Sequence, residues 1–261
     1  YTIRYVSLLA GMLTVFSSCE HKDLCFDHEA HAPKSDVHVK AVYEKEWEHT
    51  CEGGPDWEQY PAWESRFGME YHELCPDAPD GLRVQVYNED GTNNILNVAP
   101  EGDIVRMRPG EHSLLLYNND TEYIVFDDMN SFASAKATTR TRTRASYAGN
   151  PYMENTVENT VNAPDMLYGN YMENYTAERK MEADELPVTM HPLVFTYLVR
   201  YEFSHGLEYV ALARGALAGM AGAVWLNSGR TSEEAATILY DCSVEDFGTQ
   251  ACVQSLSLIH I

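Results

Sequence analysis

Apolar and polar residues alternate with period two through much of the middle of this chain. From Asp36 to Glu44, Val37, Val39, Ala41 and Tyr43 fall on one side and His38, Lys40 and Glu44 on the other, with Val42 breaking the pattern. Successive side chains of a strand point to opposite faces, so this stretch predicts a half-buried β-strand. The alternation returns with Leu82, Val84 and Val86 against Arg83, Gln85 and Tyr87. Asn88-Glu89-Asp90-Gly91 then reads as a hairpin turn, because Asp-Gly readily takes positive φ. Further short strands are predicted near 94–98, 103–107, 112–117 and 122–127, separated by Pro100-Glu101-Gly102, Pro109-Gly110 and Asn118-Asn119-Asp120. Strands of that length, with turn signals between them, predict an all-β sandwich.

Elsewhere the rhythm changes. Residues 45–81 carry Trp47, Trp57 and Trp63, four prolines and the pair Gly53-Gly54. Such a long decorated loop is expected to be functional or held by disulfides. Residues 131–150 are small and hydroxyl-rich, and Arg140, Arg142 and Arg144 alternate with Thr, which suits a linker or an edge strand. Glu-Asn-Thr-Val occurs at 154–157 and 158–161, and Tyr-Met-Glu-Asn at 152–155 and 171–174; two copies do not make a solenoid. At 193–203, Leu193, Phe195, Tyr197, Val199, Tyr201 and Phe203 form one apolar face opposite Arg200 and Glu202. A turn at Ser204-His205-Gly206 leads to Leu207–Arg214, the small-residue run Gly215–Gly222 and Ala223–Leu226. Close backbone packing at a strand turn is the expected use of that run. Thr231-Ser232-Glu233-Glu234 has the form of a capping box opening a short helix.

The two ends have characters of their own. Arg4 precedes an apolar run, Val6 to Phe16, followed by Ser17, Ser18 and Cys19. A bilayer span needs about 20 apolar residues, so the run is too short to cross a membrane. Basic, apolar, small, then Cys is the order of a bacterial lipoprotein export signal. The mature protein is then expected to begin at Cys19 with a lipid on its sulfur. The chain opens on Tyr1, so further n-region residues are expected upstream. At the other end, Leu256-Ser257-Leu258-Ile259-His260-Ile261 is the translation of CTG TCT CTT ATA CAC ATC, the transposon end of sequencing libraries. Residues 256–261 are therefore expected to be adapter read-through, with a C-terminal portion missing.

Charge narrows the partners. The chain carries 40 acidic and 18 basic residues, a net charge of −22. Such a field repels a phosphate backbone and lacks the Lys/Arg clusters that hold anionic lipid, so no nucleic acid partner is expected. With Cys19 lipidated, five cysteines remain, and an exported compartment permits disulfides. Cys242 and Cys252 are a candidate local pair; Cys25, Cys51 and Cys75 allow three pairings with one thiol left over.

Catalytic patterns fail on spacing. His28-Glu29-Ala30-His31 has its histidines at i and i+3, not the i and i+4 of zinc proteases. His72-Glu73-Leu74-Cys75 resembles part of a deaminase site, but no Cys-x-x-Cys follows. Gly222–Thr231 lacks the Gly-Lys pair of a phosphate loop, and no Gly-x-Ser-x-Gly elbow is present. No catalytic residue, metal site or cofactor is expected, and the protein is read as not an enzyme. Trp47, Trp57 and Trp63 could form a platform for a glycan ring; capping one end of a sandwich is the use favoured for them.

Several segments carry a family resemblance. Ser18-Cys19-Glu20-His21-Lys22-Asp23-Leu24-Cys25, Ala163-Pro164-Asp165-Met166-Leu167-Tyr168, His191-Pro192-Leu193 running into Tyr197–Phe203, and Ala213–Gly222 resemble Bacteroidales fimbrillin-related surface lipoproteins. Within that group the chain is most similar to the fimbrial-anchor type. The resemblance implies two tandem transthyretin-like (Greek-key) β-sandwich domains and an outer-membrane lipid anchor. It implies Cys19 as the lipidation site and Glu20, His21, Lys22 and Asp23 as a surface-export signal. It makes 236–241 a strand, against the capping-box reading. The expected organisation is a signal peptide at 1–18, a tether at 19–35, a sandwich at 36–135, a linker at 136–150 and a second, truncated sandwich at 151–255. The expected partners are fimbrillin-type protein subunits, bound by β-strand addition, and the outer membrane through the lipid. The competing expectation is a surface lipoprotein that binds a glycan or host ligand through the Trp47/Trp57/Trp63 loop.

Overall fold

Where the sequence repeats β-branched and aromatic residues at alternate positions, the backbone extends, and the protein is all-β. The computed structural model describes residues 35–44, 63–68, 70–74, 76–144, 158–247 and 250–259. The first strands are β1 (Ser35–Tyr43), β2 (Leu82–Asn88), β3 (Asn93–Val98), β4 (Ile104–Met107) and β5 (Gly110–Asn118). A short helix, α1 (Trp63–Phe67), precedes β2. The β2–β3 turn is the expected one: Gly91 has φ 80°, and the Asp90 carboxylate accepts the Thr92 N–H at 2.9 Å. Next come β6 (Ile124–Asp127), β7 (Lys136–Thr139), β8 (Thr160–Asn162), β9 (Tyr168–Ala177), β10 (Asp184–Pro192) and β11 (Phe195–Glu202). The last are β12 (Ala213–Ala221), β13 (Ala223–Trp225), β14 (Arg230–Thr231), β15 (Ala235–Phe247) and β16 (Gln250–Ile259).

A seven-stranded sheet runs in the order β3-β2-β5-β9-β10-β1-β4. β10 divides it. Asp184–Met190 pair in parallel with β1, whereas His191 and Pro192 pair with β9. The sheet folds at that point, so the β1 and β4 side lies over the β2 and β5 side. Val37, Val39, Val84, Val86, Val105, Leu114, Leu116, Val188 and Met190 fill the core between them.

The other face of β2 and β5 is covered as well. A four-stranded sheet, β14-β13-β7-β6, packs there, with Ile124, Ala137, Val224 and Leu226 against Tyr87, Leu115 and Tyr117. The simple alternation expected for a half-buried β2 is therefore replaced by burial on both faces, as happens when a sheet is covered on each side. Gln85 is polar yet only 1% exposed. Its amide donates to the Met129 carbonyl at 2.7 Å and its oxygen accepts the Tyr117 hydroxyl at 3.1 Å. Tyr87 donates to the same carbonyl at 2.9 Å. The buried polar group is satisfied and ties the β6–β7 loop to the central sheet.

A third sheet has the order β11-β16-β15-β12, with β8 parallel to β15. Val161, Ala236, Ile238 and Tyr240 form its buried cluster. β12 and β13 on one arm, and β14 and β15 on the other, form one long hairpin shared between this sheet and the four-stranded one.

Several expectations change. β9 and β10 were not anticipated, and they join β2, β5 and β1 from beyond the 136–150 stretch. Of that stretch, Lys136–Thr139 is strand β7, which pairs with β13 on one side and β6 on the other and so is not an edge strand; beyond it, Thr141 makes an isolated bridge to Val161. Gly215–Gly222 lies mostly in β12 and not in a turn. Thr231–Glu234 opens no helix; the chain passes into β15, with Ser232 N–H donating to Ala223. The apolar face expected at 193–203 is partly open to solvent, at Tyr197, Tyr201 and Phe203. Leu256–Ile259 run antiparallel to Phe195–Leu198 in the ladder of β16 and β11.

Candidate functional site at the open sheet edges

An edge strand offers a row of backbone donors and acceptors to any chain that can lie alongside, and proteins guard such edges with charge, proline or shortness. β4 is four residues long and carries Arg106, 3.3 Å from Asp36. β11 carries Arg200 and Glu202, and β12 carries Arg214. β3 is different. Its six residues, Asn-Asn-Ile-Leu-Asn-Val, include no charge and no proline, and β2 is its one strand partner among the described residues. Leu96 and Val98 pack against the sandwich core, while Ile95, on the opposite face, is 53% exposed. Asn97 holds the strand in register by accepting from Arg83 at 2.9 Å and Asn119 at 3.0 Å.

The Ala163–Tyr168 segment lies against the end of β5 and the start of β6. One carboxylate oxygen of Asp165 accepts the backbone N–H groups of Glu122, Tyr123 and Ile124. Charged acceptors make the stronger hydrogen bonds, so this carboxylate fixes the start of β6. Leu167 is fully buried, and Tyr168 donates its N–H to Asn118 at 2.7 Å. The Tyr168 ring meets Tyr43 edge-on at 5.1 Å. Burial pushes the Tyr43 hydroxyl up to about 12, helped by Asp120, Tyr168 and Glu101, so it stays a donor to the Pro100 carbonyl at 2.9 Å.

The alternating arginines are structural clamps. Arg142 and Arg214 hold the two oxygens of Asp241, each at 3.0 Å. Arg144 forks onto Glu158 at 2.7 and 2.9 Å, and the Thr237 hydroxyl donates to the same carboxylate. The Arg144 and Thr237 hydrogen bonds hold Glu158 at about 2, below its ordinary 4.5. The stabilisation is fully present above pH 4.5 and is lost as the pH falls through 2. Arg144→Gln is therefore expected to flatten the acid side of the stability profile. Urea midpoints measured from about pH 5 to about pH 2.5 check this; an unchanged slope contradicts it.

Cys19, Glu20, His21, Lys22, Asp23, Trp47 and Trp57 lie outside the described residues. Trp63 sits at the start of α1, half-buried, with Tyr71 edge-on at 4.9 Å. In the β15–β16 hairpin Cys252 lies opposite Glu245, three positions from Cys242. Among the described residues no group of three or more His, Cys, Asp or Glu is placed to hold a metal ion. What β3 offers is main-chain hydrogen bonding. Sequence reasoning located the strand but not its edge position; the run Asn93–Val98 without charge was the available signal.

A family model described as a domain of unknown function (DUF5119) matches residues 62–241. The chain belongs to the DUF5119 family. This DUF5119 chain is also similar to a candidate fimbrium anchoring subunit, Fim4B of Bacteroides ovatus, with 27% identity over 178 residues. That match covers 66% of this chain and 50% of the other, so the chain spans half the length of that curated relative. A candidate adhesin from Bacteroides ovatus has a TM-score of 0.60 at 22% identity, over 90% of this chain and 69% of its own. A second candidate adhesin from that species has a TM-score of 0.50 at 9% identity, over 86% and 69%. These two share the fold of the DUF5119 chain. The resemblance to fimbrial-anchor-type proteins holds, and the names of these relatives refer to anchoring or adhesion and not to an enzymatic activity.

Proposed function

We propose that this protein is an anchoring or accessory subunit of a fimbrium, tethered at the outer face of the outer membrane by acyl chains on Cys19. Residues Glu20–Asp23 direct it to the surface, and fimbrillin-type subunits add a strand to an open sheet edge. The observation that carries this reading is the uncharged edge of β3, in a chain similar to a fimbrium anchoring protein. Strand addition takes affinity from backbone hydrogen bonds and register from alternate side-chain pockets. Several acyl chains on one cysteine supply the stable hold that a single chain does not. The tandem transthyretin-like arrangement belongs to the same reading: the folded seven-stranded sheet is the first unit and the sheet of β11, β16, β15 and β12 the second.

Immunoblots of envelope fractions from a Bacteroidales host, after mild and after full heating, test it. Wild type is expected to give a heat-sensitive ladder of large species in the envelope. Cys19→Ala is expected to shed that ladder into the medium. Ile95→Lys, which places a charge on the open edge, is expected to abolish the ladder while leaving the protein in the envelope. A single monomer band for wild type under both conditions sinks the polymer role.

A further inference from the structure

A second site, independent of the fimbrial reading, lies where the central sheet splits. β10 leaves β9 after a two-residue ladder, at Pro192 and His191, and the turn following β13 closes over the gap. The result is a cleft of about 520 Å³ whose walls include Asn170, Tyr171, His191, Leu193, Leu226 and Ser228. That volume is in the range of small-ligand sites.

Its chemistry is specific. Tyr171 lines the cleft with 45% of its surface exposed, an aromatic ring within reach of a solvent-borne ligand. Neither its hydroxyl nor that of Ser228 has a hydrogen-bond partner among the described residues. The Asn170 amide donates to the Thr189 carbonyl at 2.7 Å, which fixes the side chain and leaves its oxygen as an acceptor. His191 Nδ1 lies 2.7 Å from a Glu44 carboxylate oxygen. A carboxylate accepts, so Nδ1 carries the proton, and in the neutral ring Nε2 is left as a second acceptor. Leu193 and Leu226 supply an apolar floor.

We propose that this cleft binds a neutral carbohydrate, one or two rings in size, with a sugar face stacked on Tyr171. An anion needs cationic donors, but no lysine or arginine lines the cleft, and it belongs to a chain of net charge −22. A cation needs an open carboxylate, and Glu44, the carboxylate beside the cleft, is engaged by His191. Sugar hydroxyls both donate and accept, so they match two free hydroxyls and two acceptors. The C–H face of a pyranose matches an exposed aromatic ring and a leucine floor.

Saturation-transfer NMR on the full chain tests this, with lactose, N-acetyllactosamine and methyl α-mannoside as neutral probes. 3′-Sialyllactose and glucosamine serve as charged comparisons. At least one neutral probe is expected to bind saturably, with the strongest transfer to its ring C–H protons. Tyr171→Ala is expected to weaken binding about tenfold and Tyr171→Phe about threefold, with melting temperatures unchanged. Trp47→Ala/Trp57→Ala is expected to leave binding intact. The proposal is overturned if no neutral probe binds, if both Tyr171 variants bind like wild type, if a charged probe binds more tightly, or if the loss follows the tryptophans.

Discussion

Leu115→Ala is expected to lower the unfolding free energy by about 3 kcal/mol, as much as Leu114→Ala next to it. In a two-layer sandwich, neighbouring residues of a strand face opposite ways. One would meet water, and its truncation would change stability by less than about 0.5 kcal/mol. Here both leucines are fully buried. Leu114 packs between the two halves of the folded seven-stranded sheet, and Leu115 lies beneath the four-stranded sheet. Each truncation leaves a void that rigid neighbours cannot fill. Urea titrations of the two variants beside wild type measure the difference. A loss confined to Leu114→Ala would show that the third layer does not cover β5 in solution. Leu115→Asp is a harsher probe, because it buries a carboxylate with no cation on the adjoining ladder positions, Gln85 and Tyr171.

Gly102→Ala is expected to cost about 4 kcal/mol, although the residue is only a loop glycine. Its φ is +103°, and a Cβ would lie 2.1 Å from the Val39 carbonyl oxygen and 2.7 Å from the Val39 carbonyl carbon. These are backbone atoms and cannot rotate aside. The flanking residues are fixed too: Val39 donates its N–H to Asp103 at 3.1 Å and Ala41 donates to Glu101 at 2.8 Å. Relief therefore requires lifting the loop from β1. Gly91→Ala is the matched control. It also has a positive φ, +80°, but nothing lies within 4 Å of its added Cβ. Its cost is backbone strain alone, about 1 kcal/mol. For a protein of this size the two melting temperatures are expected to fall by roughly 10 °C and roughly 3 °C. Equal shifts would mean that the approach to Val39 is not made in solution.

The strands from β2 to β6 were legible because their boundaries are local. Gly91, Gly102 and Gly110 take positive φ, and those turns cut the alternating runs where the sequence implies. β9 and β10 were not legible for the opposite reason. Pro187 and Pro192 interrupt β10, and Asn170, Glu173 and Asn174 dilute β9. What makes them strands is distant partners, β5 and β1, supplied only by the fold. Gln85 misled in the same way: a polar residue at an alternate position reads as solvent-facing, yet a carbonyl and a phenol from other elements satisfy it. The aromatic residues of β11 erred in the other direction, since apolar alternation marks a strand without showing that a second layer covers it. The cleft at Tyr171 left no local trace at all. Tyr171, His191 and Ser228 are far apart in sequence, and only the parting of β9 from β10 brings them together.

The division of β10 between two ladders has a mechanical consequence. The chain runs from β10 through Leu193 and Val194 directly into β11. Tension applied to β11 therefore passes along the backbone into β10. There it meets the parallel ladder with β1, registered from Val37 opposite Asp184 to Tyr43 opposite Met190. A force along that axis shears the ladder, so its hydrogen bonds resist together and do not unzip in turn. The long hairpin of β12 and β15 provides a second path, into β13, β14 and β7. The last sheet is thus joined to the rest of the fold by two routes, one into the core under β10 and one into the sheet that holds β13, β14 and β7.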